Sequence, residues 1–169
     1  FTNSILHLPL TDPSTKQAMS INMDVCETIN SYWIASYGTG IVELSKDFKI
    51  KRIYTTRDGI KNLGLYKIFA VSDTLLLASS NNGLTSINTK TGNIKNYFTE
   101  DGLQSNSFEE ASGDQLANNI FVGGINGVTK IDITKINTDP SPAKLTFSTI
   151  SLVSQNKTID TLDIGIRKL

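Results

Sequence analysis

An all-β fold is predicted, and three observations predict it. The sequence repeats itself every 43 to 44 residues. Its apolar residues come in short runs bounded by Asn, Gly, Asp and Ser clusters, and no apolar stripe of helical period persists for three turns.

The repeat is carried by two markers. Trp33-Ile34-Ala35-Ser36-Tyr37-Gly38-Thr39-Gly40-Ile41-Val42-Glu43-Leu44 aligns without gaps with Leu76–Ile87 and again with Ile120–Ile131, so that Gly40, Gly83 and Gly127 fall 43 and 44 residues apart. Independently, Tyr54-Thr55-Thr56-Arg57-Asp58-Gly59-Ile60 recurs as Tyr97-Phe98-Thr99-Glu100-Asp101-Gly102-Leu103, a step of 43 residues. Two markers that share one period specify a repeated structural unit.

The second unit shows its elements in order. Leu65–Val71 is a first strand and Ser72-Asp73-Thr74 a tight turn. Leu75–Ser79 is a second strand, closed by Asn81-Asn82-Gly83, a hairpin turn expected to supply the positive φ of a primed turn. Leu84–Asn88 forms a third strand, and Thr89-Lys90-Thr91-Gly92-Asn93 turns the chain into an outer strand at Ile94–Phe98. Four antiparallel strands in one period of this length make one propeller blade, whose apolar faces its neighbours must cover. The chain therefore reads as part of a β-propeller of about three four-stranded blades, in residues 1–137. Leu6-His7-Leu8-Pro9-Leu10-Thr11-Asp12-Pro13 reads as the outer strand of a preceding blade.

Propellers close with about four to eight blades, so three blades leave faces to be covered. The chain is read as a fragment, and self-association, as a homodimer or larger oligomer, is expected.

After the third unit the texture changes. Thr138-Asp139-Pro140-Ser141-Pro142 interrupts ladder pairing, because proline fixes φ and donates no hydrogen bond. Residues 138–169 form a linker and a second, truncated module, with a strand over Lys144–Val153, a turn at Gln155-Asn156-Lys157 and a further strand from Thr158 to Ile166.

Composition excludes several function classes. In 169 residues, 16 Lys and Arg balance 16 Asp and Glu, and the basic residues are scattered singly. No basic stripe exists to neutralise phosphates, so neither nucleic acid nor an anionic membrane is an expected partner. No run approaches the length of a membrane span. One cysteine, Cys26, cannot form an internal disulfide, and one histidine, His7, cannot build a metal cluster. No metal or cofactor is expected.

The Ala-Ser and Gly-hydrophobic steps, together with the Tyr-Phe-Thr-Glu-Asp-Gly-Leu run, resemble the two-component-regulator propeller repeat. The resemblance spans about residues 19 to 153 and is most specific in Asp101-Gly102-Leu103-Gln104-Ser105-Asn106-Ser107-Phe108 and Phe121-Val122-Gly123-Gly124-Ile125-Asn126-Gly127-Val128. Asp139–Leu145 resembles the approach to the small β-sandwich module, called Y_Y_Y, that follows such propellers in Bacteroides-type hybrid two-component proteins. The resemblance departs at the start of the second strand, where Trp33 of the first unit is replaced by Leu76 and by Ile120-Phe121. It implies a periplasmic sensor region that senses a glycan or oligosaccharide and relays the signal toward a membrane-anchored histidine kinase elsewhere in the polypeptide. A propeller that serves only as a protein-interaction or dimerisation scaffold is the alternative.

In a blade, the second hairpin and the loop into the next blade emerge at one end. That end carries Tyr37, Asn81, Asn82 and Asn126 from hairpins, and Arg57, Asp58, Asn62, Glu100, Asp101, Gln104 and Asn106 from connecting loops. Planar amides, carboxylates and guanidinium groups match sugar hydroxyl pairs, and an aromatic face stacks on sugar C–H groups. Tyr37, Arg57, Gln104 and Asn106 are the candidate ligand-binding residues. Structural duties compete for several of these positions: Asp58 and Asp101 suit Asx-type loop hydrogen bonds, and Gln104 and Asn106 suit backbone groups between blades. Trp33 suits blade packing.

Catalysis is not expected. Glu109 and Glu110 are adjacent on one strand and point to opposite faces, Ser36 and Ser79 have no histidine near them in sequence, and Cys26 reads as a small buried hydrophobe.

Overall fold

A computed structural model describes residues 7–19, 21–136, 149–154 and 157–163, the last two ranges by their backbone alone. The described structure is all-β apart from two single 3-10 turns, Thr99–Asp101 and Ile133–Lys135.

The first sheet consists of β1 (Asn22–Glu27), β2 (Ser31–Ser36), β3 (Gly40–Ser45) and β4 (Ile50–Tyr54), paired in sequence order and antiparallel. The second repeats it with β5 (Leu65–Ser72), β6 (Leu75–Ser80), β7 (Gly83–Asn88) and β8 (Ile94–Tyr97). The third holds β9 (Phe108–Leu116), β10 (Asn119–Gly124) and β11 (Gly127–Asp132), with three strands among the described residues. The four strands expected in the second unit thus form where its apolar runs place them.

One expectation is corrected. Asn81-Asn82-Gly83 is not a primed turn: φ is positive at Gly83, 93°, and at neither Asn81 nor Asn82. The two asparagines make an ordinary turn, and the left-handed residue opens the following strand, a geometry that the same residue types serve equally well.

The second sheet buries both faces, which is why β6 reads as the unbroken run Leu75-Leu76-Leu77-Ala78 rather than an alternation. Successive side chains point to opposite faces. Leu76 and Ala78 join Trp33, Ile41, Tyr54 and Leu65 in a core between the first and second sheets. Leu77 and Leu84 join Phe69, Phe108, Ile120 and Val122 in a core between the second and third. The outer face of the first sheet is covered by Met19 and Leu10, which pack on Ile34, Val42 and Leu44. These two residues belong to a tight hairpin bridged at Thr11 and Ala18, so the segment before the first unit folds back on the sheet; residues 1–6 lie outside the described range.

The first strands converge: β1 lies beside β5, and β5 beside β9. The Asp24 carboxylate crosses this seam, accepting a hydrogen bond from Ile68 N (3.0 Å) and pairing with Lys67 Nζ (3.0 Å). At the other end of β1, Ile29 N donates to Asp73 Oδ1 at 3.1 Å. Adjacent sheets are thus joined by apolar burial and by a few directional bonds at their ends.

By its backbone contacts the chain divides into two units, Phe1–Asp139 and Pro140–Leu169. Within the second, β12 (Thr149–Ser154) and β13 (Lys157–Asp163) form an antiparallel hairpin, with Thr149 opposite Asp163. The expected linker prolines, and the expected strand residues 144–148, lie outside the described range.

Candidate functional site

The tips of the second hairpins gather with the loops that lead into each next sheet, and main-chain hydrogen bonds knit them together. Tyr37 N donates to Ile21 O and Gly38 N to Leu63 O, both at 2.8 Å; Asn81 N donates to Gly64 O at 3.0 Å and Gly83 N to Asn106 O at 2.6 Å. The third hairpin is held by a side chain instead, because Asn126 N donates to Gln104 Oε1 at 2.9 Å. Bonding of this kind satisfies these backbone groups at the end of the sheets.

The polar side chains at this end fall into two groups. One is used up in shaping the loops. Asp58 accepts from Thr55 N (2.9 Å) and Arg52 Nη2 (2.9 Å), and Asp101 accepts from Phe98 N (2.9 Å), so the repeated Asp-Gly turns carry the expected Asx-type bonds. Asn62 Oδ1 accepts from Gly64 N at 2.6 Å. Gln104 spends both ends of its amide, since Nε2 donates to Ser107 O while Oε1 holds Asn126. Asn106 Oδ1 accepts from Thr99 N at 2.8 Å. Of the four candidate ligand-binding residues, Gln104 and Asn106 therefore lie in the connections between sheets, with their acceptor oxygens occupied.

The second group faces outward. Tyr37 is 39% exposed and stacks on Tyr66, ring centroids 6.2 Å apart. Tyr66 was not singled out from the sequence. It sits on β5 in the adjacent sheet, and burial, then the neighbouring Tyr37 hydroxyl and the Glu110 and Glu109 carboxylates, push its phenol above the usual tyrosine range. Arg57 lines a cleft of about 670 Å³ together with Ser14, Thr15, Thr39, Thr55 and Thr56. Tyr37, Gln104 and Asn106 lie outside this lining, so the cleft does not unite the four candidates.

The far wall of the cleft was not anticipated. It comes from the Asp12-Pro13-Ser14-Thr15 turn, which is held by Asp12 Oδ1 accepting from Ser14 Oγ (2.6 Å) and from Ser14 N (2.7 Å). Those bonds, the hydroxyl first, lower the Asp12 pKa. An Asp-Pro-Ser sequence signals such a turn, but not the sheet against which it packs. The finished cleft offers several hydroxyls and one guanidinium, an arrangement suited to a polyhydroxylated ligand.

The residues weighed for catalysis have other duties. Ser36 and Ser79 are fully buried; Ser36 Oγ donates to Ile21 O, and Ser79 Oγ accepts from Lys67 N. Burial, reinforced by Asp24, pushes the Cys26 thiol up to about 12, which keeps it protonated and unreactive at neutral pH. Among the described residues no cluster of His, Cys, Asp and Glu has metal-holding geometry, and no described helix is long and apolar enough to cross a membrane.

No family model matches the sequence, and no curated protein is similar enough to count as a relative. Solved structures are similar in fold. The extracellular domain assigned to a hybrid two component system of B. thetaiotaomicron superimposes with a TM-score of 0.59 at 15% identity, over 95% of this chain and 20% of the other. PorZ, an essential bacterial surface component of the type-IX secretion system of Porphyromonas gingivalis, superimposes with a TM-score of 0.50 at 12% identity, over 69% of this chain and 16% of the other. The chain thus spans a fifth or less of these structures, and at such identities the likeness concerns the fold.

The Asp58 loop makes a prediction about pH. Burial works against its charge, but the bonds from Thr55 and Arg52 outweigh it, and the pKa falls below the ordinary 3.8. A carboxyl depressed by folding adds stability above its unfolded pKa and loses that contribution as pH drops through the folded value. Asp58→Asn should therefore cost up to about 1 kcal/mol near pH 7, with the gap closing below about pH 4. Urea melts of both proteins from pH 7 to pH 2.5 check this, and a constant gap across that range contradicts it.

Proposed function

We propose that the chain is part of the extracytoplasmic, periplasmic sensor region of a hybrid two-component protein. In this reading the three sheets are adjoining blades of a β-propeller, Pro140–Leu169 begins a β-sandwich module, and the region senses a glycan or oligosaccharide whose binding is relayed across the membrane. The fold likeness to an extracellular domain of such a system, over 95% of this chain, carries the reading. The repeat period, the convergence of β1, β5 and β9, and the two unspent side-chain groups at one end support it. No residue is assigned a catalytic role. Signalling requires only that ligand bind two arrangements of the receptor with different affinity.

The likeness to PorZ favours a second reading, in which the same sheets act as a scaffold for protein association, including self-association, without a small-molecule ligand.

Calorimetry on the complete extracytoplasmic region with a panel of neutral and acidic oligosaccharides separates the two. The sensor reading expects saturable heat with at least one sugar, weakened about tenfold by Arg57→Ala if the cleft is the site. Absence of heat with every sugar, together with concentration-dependent self-association, supports the scaffold. A parent reading frame without a downstream membrane helix and kinase would overturn the sensor reading.

A further inference from the structure

We infer that bulges in the first strands of the three sheets build a site for the ammonium group of an amino sugar, formed by the stacked rings of Tyr37 and Tyr66 and the carboxylates of Glu109 and Glu110. The choice of a sugar as bearer of that group rests on the proposed function.

β1, β5 and β9 are each interrupted at the same place, beside the last residues of the second strand of their sheet. In the first sheet Met23 is an extra residue between the pairs Asn22–Ser36 and Asp24–Ala35. In the second, Tyr66 and Lys67 together oppose Ser79. In the third, four residues, Glu109, Glu110, Ala111 and Ser112, oppose Gly123 alone. One extra residue is enough to bend a strand, and the first two sheets use one. The third inserts more than bending requires. Its backbone is also strained: Ala111 has φ 54°, a left-handed conformation that L-residues rarely adopt, and a Cβ at Gly123 would overlap Ser112 Oγ. Bulges of this kind re-aim side chains, and strain held in place by the surrounding structure gathers at sites of function.

The side chains re-aimed here meet from three sheets. Tyr66, in the second bulge, stacks on Tyr37, whose ring comes from the hairpin of the first sheet and stands 39% exposed. β9 runs beside β5, and the Glu109 and Glu110 carboxylates both act on the Tyr66 phenol. Strict alternation lapses within a bulge, so neighbouring residues can serve one side. Both glutamates are exposed, and neither forms an ion pair among the described residues. The cation of the second bulge, Lys67, is already engaged. Its Nζ lies 3.0 Å from Asp24 and 5.9 Å from the centre of the Phe69 ring. Asp24, Glu109 and Glu110 thus outweigh Lys67, and the surplus negative charge favours a cation. An ammonium group can donate to both carboxylates and is attracted to the face of a tyrosine ring, on which the C–H face of its sugar also stacks. These four residues lie outside the lining of the Arg57 cleft, so the site is separate from it.

Calorimetry on the 169-residue chain tests this with three probes: the trimer of glucosamine, its fully N-acetylated form, and spermine, an amine without a sugar. At about pH 6, where the amines are charged, the glucosamine trimer should bind about tenfold more tightly than the acetylated one. Glu109→Gln combined with Glu110→Gln, at exposed positions, should erase that preference and leave the urea midpoint unchanged. Tyr37→Ala should weaken both trimers. Equal affinity for the two trimers, or a preference that survives the double substitution, overturns the site. Spermine bound as tightly as the glucosamine trimer overturns a sugar as the bearer. Binding of neither trimer, beside saturable heat from a neutral sugar on the complete extracytoplasmic region, overturns this site and leaves the sensor reading standing.

Discussion

Gly40→Ala should cost the first unit about 2 to 5 kcal/mol, whereas the same change at Gly127 should cost about 1 to 2 kcal/mol. The two glycines occupy the same place in the repeat and share a positive φ, 123° and 120°. An L-residue pays for that backbone conformation at either position, roughly 1 to 2 kcal/mol. At Gly40 a second cost arises, because the new Cβ would overlap the carbonyl oxygen of Tyr54 on β4. That oxygen belongs to a strand paired along its length with β3, so relief requires the strand to move. At Gly127 a Cβ would have open space. Domains of this size are stable by only about 5 to 15 kcal/mol, so Gly40→Ala consumes much of the available margin. Urea unfolding followed by circular dichroism measures both, with the slope of the transition checking that the denatured state is unchanged. Equal shifts in midpoint would show that the fourth strand does not constrain the glycine.

This contrast also shows how much of the fold was legible in the sequence. Gly40 and Gly83 mark the period because a neighbouring strand forbids a side chain, and Asp58 and Asp101 mark it because each carboxylate holds a main-chain N–H three residues back. Local constraints of that kind are written in residue identity, and the strands between them follow. The hairpin at Asn81-Asn82 was misread because asparagine suits both a primed turn and an ordinary turn followed by glycine; which φ becomes positive is decided by pairing with the next strand. The candidate site was legible only in part. Residue type identified Tyr37 and Arg57 as groups without turn chemistry, but Tyr66 and the Asp12–Thr15 wall reach them only through packing between segments distant in sequence. Gln104 and Asn106 suit either a ligand or backbone groups between blades, and their acceptors are engaged by Asn126 N and Thr99 N. Composition reveals what a side chain offers, while long-range geometry decides whether it is already taken.

Trp33→Ala should destabilise the chain by about 3 to 5 kcal/mol, with Trp33→Phe losing a smaller part of that. Trp33 is 2% exposed, in the core between the first two sheets, where its ring lies 6.1 Å from that of Tyr54. Truncation to alanine leaves a cavity that two paired sheets cannot easily collapse, so both the transfer and the cavity contributions are lost. Phenylalanine fills much of the space but forfeits the bond from Nε1 to Thr28 Oγ1, 3.0 Å long. Thr28 is itself buried, and its hydroxyl also reaches Ser31 O, so the two side chains should be energetically coupled. Combining Thr28→Val with Trp33→Phe should therefore cost less than the sum of the single changes, by about 0.5 to 1.5 kcal/mol. At the matching positions Leu76 and Ile120 carry no polar atom and are buried without a partner, so the repeat keeps the packing and spends the hydrogen bond only once. The prediction separates packing from recognition. A tryptophan at 2% exposure cannot offer its face to a sugar, and its removal should lower the urea midpoint with or without ligand. If Trp33→Ala left the midpoint where it was and abolished oligosaccharide heat instead, the ring would belong to the binding surface, and the core between the first two sheets would have to open to expose it.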